Sequence, residues 1–79
     1  MAAEKFYCIG DEAAARGFRL AGVEGRAVSG AAEAAAALDE AAARPDCGVI
    51  IISAAAAGLA RAKVEEIRLE RLRPLIVEI

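Results

Sequence analysis

Asp11 and Glu12, Ser53, and the cysteines Cys8 and Cys47 are the side chains of this 79-residue chain that could carry chemistry. Adjacent carboxylates are donors for a divalent cation, a serine or cysteine becomes a nucleophile beside a general base, and two thiolates begin a zinc site. The rest of the sequence lacks the partners those roles need. It contains no His, Thr, Asn, Gln or Trp, and its only serines are Ser29 and Ser53. A Ser or Cys nucleophile therefore has no imidazole to activate it, and zinc would have only Cys8, Cys47 and carboxylates as ligands. The cysteines, far apart and without a CxxC or a signal-peptide pattern, do not read as a secreted disulfide framework, so a reducing, cytoplasmic setting is expected.

The elements that must position these residues can be read from patterning. Residues 5–9 (KFYCI) are a short aromatic and β-branched run closed by Gly10 and Asp11, as in a strand that ends in a turn. Residues 12–21 favour helix, with Asp11 or Gly10 as cap, acid in the first turn and Gly22 as the stop. On that helix Ala14, Phe18 and Ala21 share a face, while Arg16 and Arg19 point together elsewhere. Gly17 stands mid-helix, where glycine is costly. Close packing on a sheet is one reason for it and a partner contact is the other.

Residues 26–28 read as a weak strand, Ser29 as an N-cap, and residues 31–44 as an alanine-rich helix. Its face would be Ala31, Ala34 or Ala35, Leu38, and Ala41 or Ala42, ended by Pro45 and Asp46. GVIII at 48–52 has the continuous apolar character of a central parallel strand buried on both faces. Ser53 can cap a helix over 54–60. The charged residues 61–70 continue that helix or form a second piece, with Arg61–Glu65 and Glu65–Arg68 at pairing distance along it. Pro74 closes the helical region and LIVEI at 75–79 forms a fourth strand.

Strands alternating with helices through short loops predict an α/β fold: a four-stranded parallel sheet in the order 2-1-3-4, with helices on both faces, in a flavodoxin-like or receiver-like three-layer arrangement. The length allows one such domain, spanning 1–79. A chain that stops on an apolar strand also suggests an excised domain.

Ligands of open parallel sheets sit at the carboxyl ends of the strands, here Gly10, Asp11, Glu12 and Ser53. Asp11 and Glu12 resemble the acidic pair of a response-regulator receiver. However, Ser53 stands where a receiver has its phosphoryl-accepting Asp, and the fifth strand with its Lys is missing. Capping and helix-dipole roles suit Asp11 and Glu12 better. Neither a P-loop nor GxGxxG occurs, so no nucleotide site is expected. Cys8 and Cys47, offset by roughly 10 Å in adjacent strands, are too far apart for a disulfide and read as small buried residues. A net charge of −2 with only Phe6, Tyr7 and Phe18 as aromatics argues against nucleic acid, and no apolar stretch reaches membrane-spanning length. No cofactor or metal is expected, which leaves interaction with another protein.

Residues 9–25, IGDEAAARGFRLAGVEG, resemble the N-terminal signature of the F subunits of V-type and A-type ATPases. In that family an Ile-Gly-Asp strand end is followed by Gly-Phe and then Leu-Ala-Gly. The likeness recurs at GVIIIS (48–53) and RLRPLIVEI (71–79), in order along nearly the whole chain. One departure is 13–15, all Ala, where the family often has bulkier or hydroxyl-bearing residues. The resemblance implies a non-catalytic component of the rotary central stalk. It would bind the coiled-coil shaft, the D subunit, and help couple ATP hydrolysis or synthesis to proton or sodium movement, peripheral to the membrane. It also implies that the family's C-terminal helix lies beyond this chain. Arg16, Phe18 and Arg19, inside the matched motif, are the candidate partner-binding residues, with core packing the competing role for Phe18. The alternative reading is a stand-alone receiver-like or small-ligand module using Asp11, Glu12 and Ser53.

Overall fold

The structure, a computed structural model, describes residues 5–79. The elements run β1 (Lys5–Gly10), α1 (Glu12–Leu20), β2 (Glu24–Ala27), α2 (Ala31–Ala43), β3 (Cys47–Ile52), α3 (Ala54–Leu59), α4 (Arg61–Glu70) and β4 (Leu75–Glu78). The four strands form one parallel sheet in the order β2-β1-β3-β4, as the alternation of strand and helix predicts.

One face of the sheet holds the main core. Tyr7 and Ile9 of β1, Ile50 and Ile52 of β3, and Ile76 of β4 pack with Ala34, Ala37, Leu38 and Ala41 of α2, Ala56 and Ala57 of α3, and Val64 and Ile67 of α4. Alanine on α2 lets that helix approach the strands closely, and Leu38 supplies its one large apolar side chain. The face differs from expectation in detail. Ala34, Leu38, Ala41 and Ala42 are buried as expected, but Ala31 in the first turn is exposed and Ala37 joins the buried stripe.

The other face carries α1 alone. Alternate residues of β1 point there, and Cys8 is buried on that side together with Ala15 of α1, outside the main core. Helix α1 packs on β2 and β1 and leaves β3 and β4 bare. Val49 and Ile51 are accordingly only half-buried, so β3 is not covered on both faces as its continuous apolar run suggests. Leu75 and Val77 of β4 are 63% and 46% exposed, and only Ile76 of LIVEI reaches the core.

Two local expectations are corrected, and one left open is decided. The second strand lies at Glu24–Ala27, two residues earlier, because its place is set by parallel pairing of Glu24 through Ala27 with Tyr7 through Gly10 rather than by apolar side chains. Ser29 is not the N-cap of α2. Gly30 occupies that position, and Ser29 lies one residue earlier, where its hydroxyl and its backbone N–H both donate to Glu33 Oε1, at 2.6 and 3.1 Å. Residues 54–70 form two helices, since the non-helical backbone of Ala60 (φ −134°, ψ 43°) breaks the run.

Gly22, at φ +86°, ends α1 as expected of a left-handed stop. At the far end of the domain an ion-pair network ties β2 to the α2–β3 turn. Arg44 holds Glu24 with both guanidinium ends, lies 3.4 Å from Asp46, and stacks over the Tyr7 ring at 5.3 Å. The Arg44 guanidinium holds the Glu24 carboxyl below the usual carboxylate range.

Candidate functional site

The carboxyl ends of β1 and β3 bring Gly10, Asp11 and Ser53 together. A Cβ on Gly10 would stand 3.0 Å from the Ala14 Cβ and 3.6 Å from that of Ser53, so a side chain there would crowd the first turn of α1 against the strand ends. Asp11 is the N-cap of α1, its Oδ1 accepting from the Ala14 N–H at 2.8 Å. Ser53 does the same for α3, its Oγ accepting from the Ala56 N–H at 3.1 Å. Glu12 is exposed and faces Arg16 one turn on, 3.6 Å away. Each group is thus engaged in helix geometry. Among the described residues no three His, Cys, Asp or Glu side chains gather as a metal site.

The cysteines are both free and buried. Cys47 pairs in register with Lys5, three residues before Cys8, which keeps the thiols apart along the sheet. Burial pushes both thiols up in pKa, away from reactive thiolates.

The candidate partner residues separate around α1. At 100° per residue Arg16 and Arg19 lie on one flank with Glu12, and both are exposed. Phe18 turns toward the sheet and is half-buried, so it does not share a surface with the two arginines. The opposite flank is Ala14, Gly17 and Ala21. A Cβ on Gly17 would meet nothing within 4 Å, which removes close packing on the sheet as the reason for that glycine. The mid-helix glycine faces open space.

On the other side of the molecule the charged segment is organised differently from its helical spacing. Arg61 does not pair with Glu65. It reaches across to Glu78 of β4 with two bonds of 2.6 and 3.0 Å. Arg68 contacts Glu65 and Glu78, both at 3.6 Å, and donates to the Ile76 carbonyl at 3.1 Å. The Glu65–Arg68 pair is the one that helical spacing predicts. The bonds to β4 clamp α4 onto that strand, and spacing missed them because Glu78 is contributed by a strand, seventeen residues beyond Arg61.

Sequence reading also missed the bare half of the sheet. In register, Phe6, Val49 and Leu75 form one row across β1, β3 and β4, and Ile51 and Val77 continue the next row beyond the covered Cys8. Phe6 is 53% exposed there. No helix of the described residues is long and apolar enough to cross a membrane.

The fold is a parallel α/β domain whose strand ends carry helix-capping residues and whose sheet is apolar and uncovered over β3 and β4. The family model described as ATP synthase (F/14-kDa) subunit matches residues 6–79, and the chain belongs to that family. Among solved structures it is similar to the F subunit of the V-type ATP synthase from Archaeoglobus fulgidus, at 25% identity and a TM-score of 0.81 over 98% of each chain. No curated protein matches it.

Proposed function

We propose that this chain is a non-catalytic central-stalk component of a V/A-type ATPase or ATP synthase. It docks on the coiled-coil shaft, the D subunit, and helps couple ATP hydrolysis or synthesis to proton or sodium movement from a cytoplasmic position peripheral to the membrane. The observation that carries this reading is the family match, which runs through nearly the whole chain and includes the Ile9–Gly10–Asp11 strand end and the Gly17–Phe18 pair of α1. Engagement of Asp11 and Ser53 as helix caps supports docking over strand-end chemistry. Arg16, Phe18 and Arg19 are the proposed contacts, the two arginines exposed together on one flank of α1 and Phe18 half-buried on its sheet-facing side.

The test is co-purification and titration against the shaft protein of the same organism. Stable binding is expected, and Arg16→Glu with Arg19→Glu should weaken it about tenfold, the cost of reversing rim charges. Unchanged affinity in that variant removes the two arginines from the interface. Failure of the unsubstituted chain to bind refutes the stalk reading. In that case Mg²⁺ titration followed by NMR, with amide shifts at Asp11 and Ser53, would support the small-ligand alternative.

A further inference from the structure

We infer that the bare half of the sheet, over β3 and β4, is the seat of one amphipathic helix contributed by another polypeptide. The proposal rests on the stalk reading and names where on this chain the partner sits.

Size and shape favour a helix. Two strands at ~4.8 Å spacing expose a strip about 10 Å wide, the diameter of one helix. Helix α1 packs over β2 and β1 and leaves Phe6 near the start of β1 exposed beside the strip, so a second helix would complete the layer. The floor of the strip is apolar throughout: Phe6, Val49 and Leu75 in one row, Ile51 and Val77 in the next, and Ile79 at the end, 59% exposed.

The wall of the strip fits the same occupant. A right-handed β1–α1–β2 crossover turns the Ala14, Gly17 and Ala21 flank of α1 toward β3, and the Glu12, Arg16 and Arg19 flank away from it. Helices packed side by side lie about 8–10 Å apart, the shorter distances requiring small residues between them. Gly17 has nothing within 4 Å of its would-be Cβ, so this wall is open to an incoming helix.

Area argues against a second copy of the chain. The exposed parts of Phe6, Leu75, Val77 and Ile79 amount to roughly 400 Å² of apolar surface. A stable interface takes roughly 800 Å² from each partner. A patch of this size holds one helix of a partner that has further contacts elsewhere, and it is too small to hold a homodimer alone.

The experiment titrates the shaft protein of the same organism into the unsubstituted chain and three variants, with circular dichroism and amide spectra confirming each fold. Leu75→Glu with Val77→Glu should lower affinity about 100-fold, because two charges would enter an apolar contact. Gly17→Leu should lower it about tenfold by filling the wall, while raising the thermal midpoint of the free chain. Leu69→Glu makes the same chemical change at an exposed site on α4, against the opposite face, and should leave binding unchanged. Binding retained within about threefold by the Leu75, Val77 variant overturns the seat and leaves the stalk reading standing. No binding by the unsubstituted chain overturns both. Self-association abolished by the same variant places a second copy on the strip. A C-terminally extended form whose β3 and β4 amides are already protected places a segment of the same polypeptide there. Either result overturns the helix supplied by a partner.

Discussion

Gly17→Ala should stabilise the isolated domain. The position is in the middle of the nine-residue helix α1, its φ is not in the left-handed region, it is exposed, and an added Cβ would meet nothing within 4 Å. Alanine therefore gains the full helix-propensity difference, about 0.5–1 kcal/mol, with no steric cost to set against it. For a domain of this size that is a rise in thermal midpoint of roughly 2–8 °C. The assay is thermal and urea unfolding followed by the far-ultraviolet helix signal, with an unchanged m-value as the sign that folded and unfolded states are otherwise alike. Two other glycines serve as contrasts. Gly25→Ala should destabilise, since its Cβ would stand 3.1 Å from the Cys8 carbonyl oxygen, a backbone atom of the neighbouring strand. Gly22→Ala should destabilise as well, by about 1 kcal/mol, because alanine is strained at φ +86°. A Gly17→Ala variant that loses stability would refute the reasoning, since it would mean that something already occupies the space beside α1 in the free chain.

Two further outcomes follow from the core and the ion pairs. Leu38→Ala should cost about 2–5 kcal/mol, because Leu38 is fully buried and the surrounding alanines have little side chain with which to refill the cavity; a urea midpoint within error of the original would refute this account of the core. Arg44 holds Glu24, and Arg61 holds Glu78, below the carboxylate reference value of 4.5. Their folded-state values are lowered, so their contribution is present above pH 4.5 and is lost as pH falls through the folded values. Urea midpoints across roughly pH 2 to 6 should show that loss, and Glu78→Gln should flatten part of it.

Much of the fold was legible because its strongest signals are local. KFYCI and GVIII have few alternatives to being strands, Asp11 (with Gly10 as its rival) and Ser53 stand where caps are expected, and Gly22 marks a helix end. The strand EGRA of β2 was less legible, since its position depends on backbone pairing with β1 and its side chains have no apolar alternation. Arg61 shows a second limit: helical spacing offered Glu65, whereas a bidentate partner in β4 satisfies both guanidinium ends. The uncovered half of the sheet was implicit in the strand order. Right-handed crossovers place one helix on the side traversed from β1 to β2 and the remaining three on the other, so one face must be short of cover. The residues that fill that face read as a buried strand because apolar runs record a preference for burial without recording what does the burying.

The position of β1 between β2 and β3 has a consequence for how the chain folds. Tyr7 pairs with Ile50, so the central ladder cannot close until most of the polypeptide has been synthesised and α2 has brought the two halves together. The hairpin-like shortcuts available to antiparallel sheets do not exist here, and ordering of the intervening loop must precede the gain from pairing. Folding should accordingly be slow for the domain's length. The amides of Ile9 and Ile52, deep in that central ladder, should then be among the slowest to exchange with solvent, opening only when the whole molecule does.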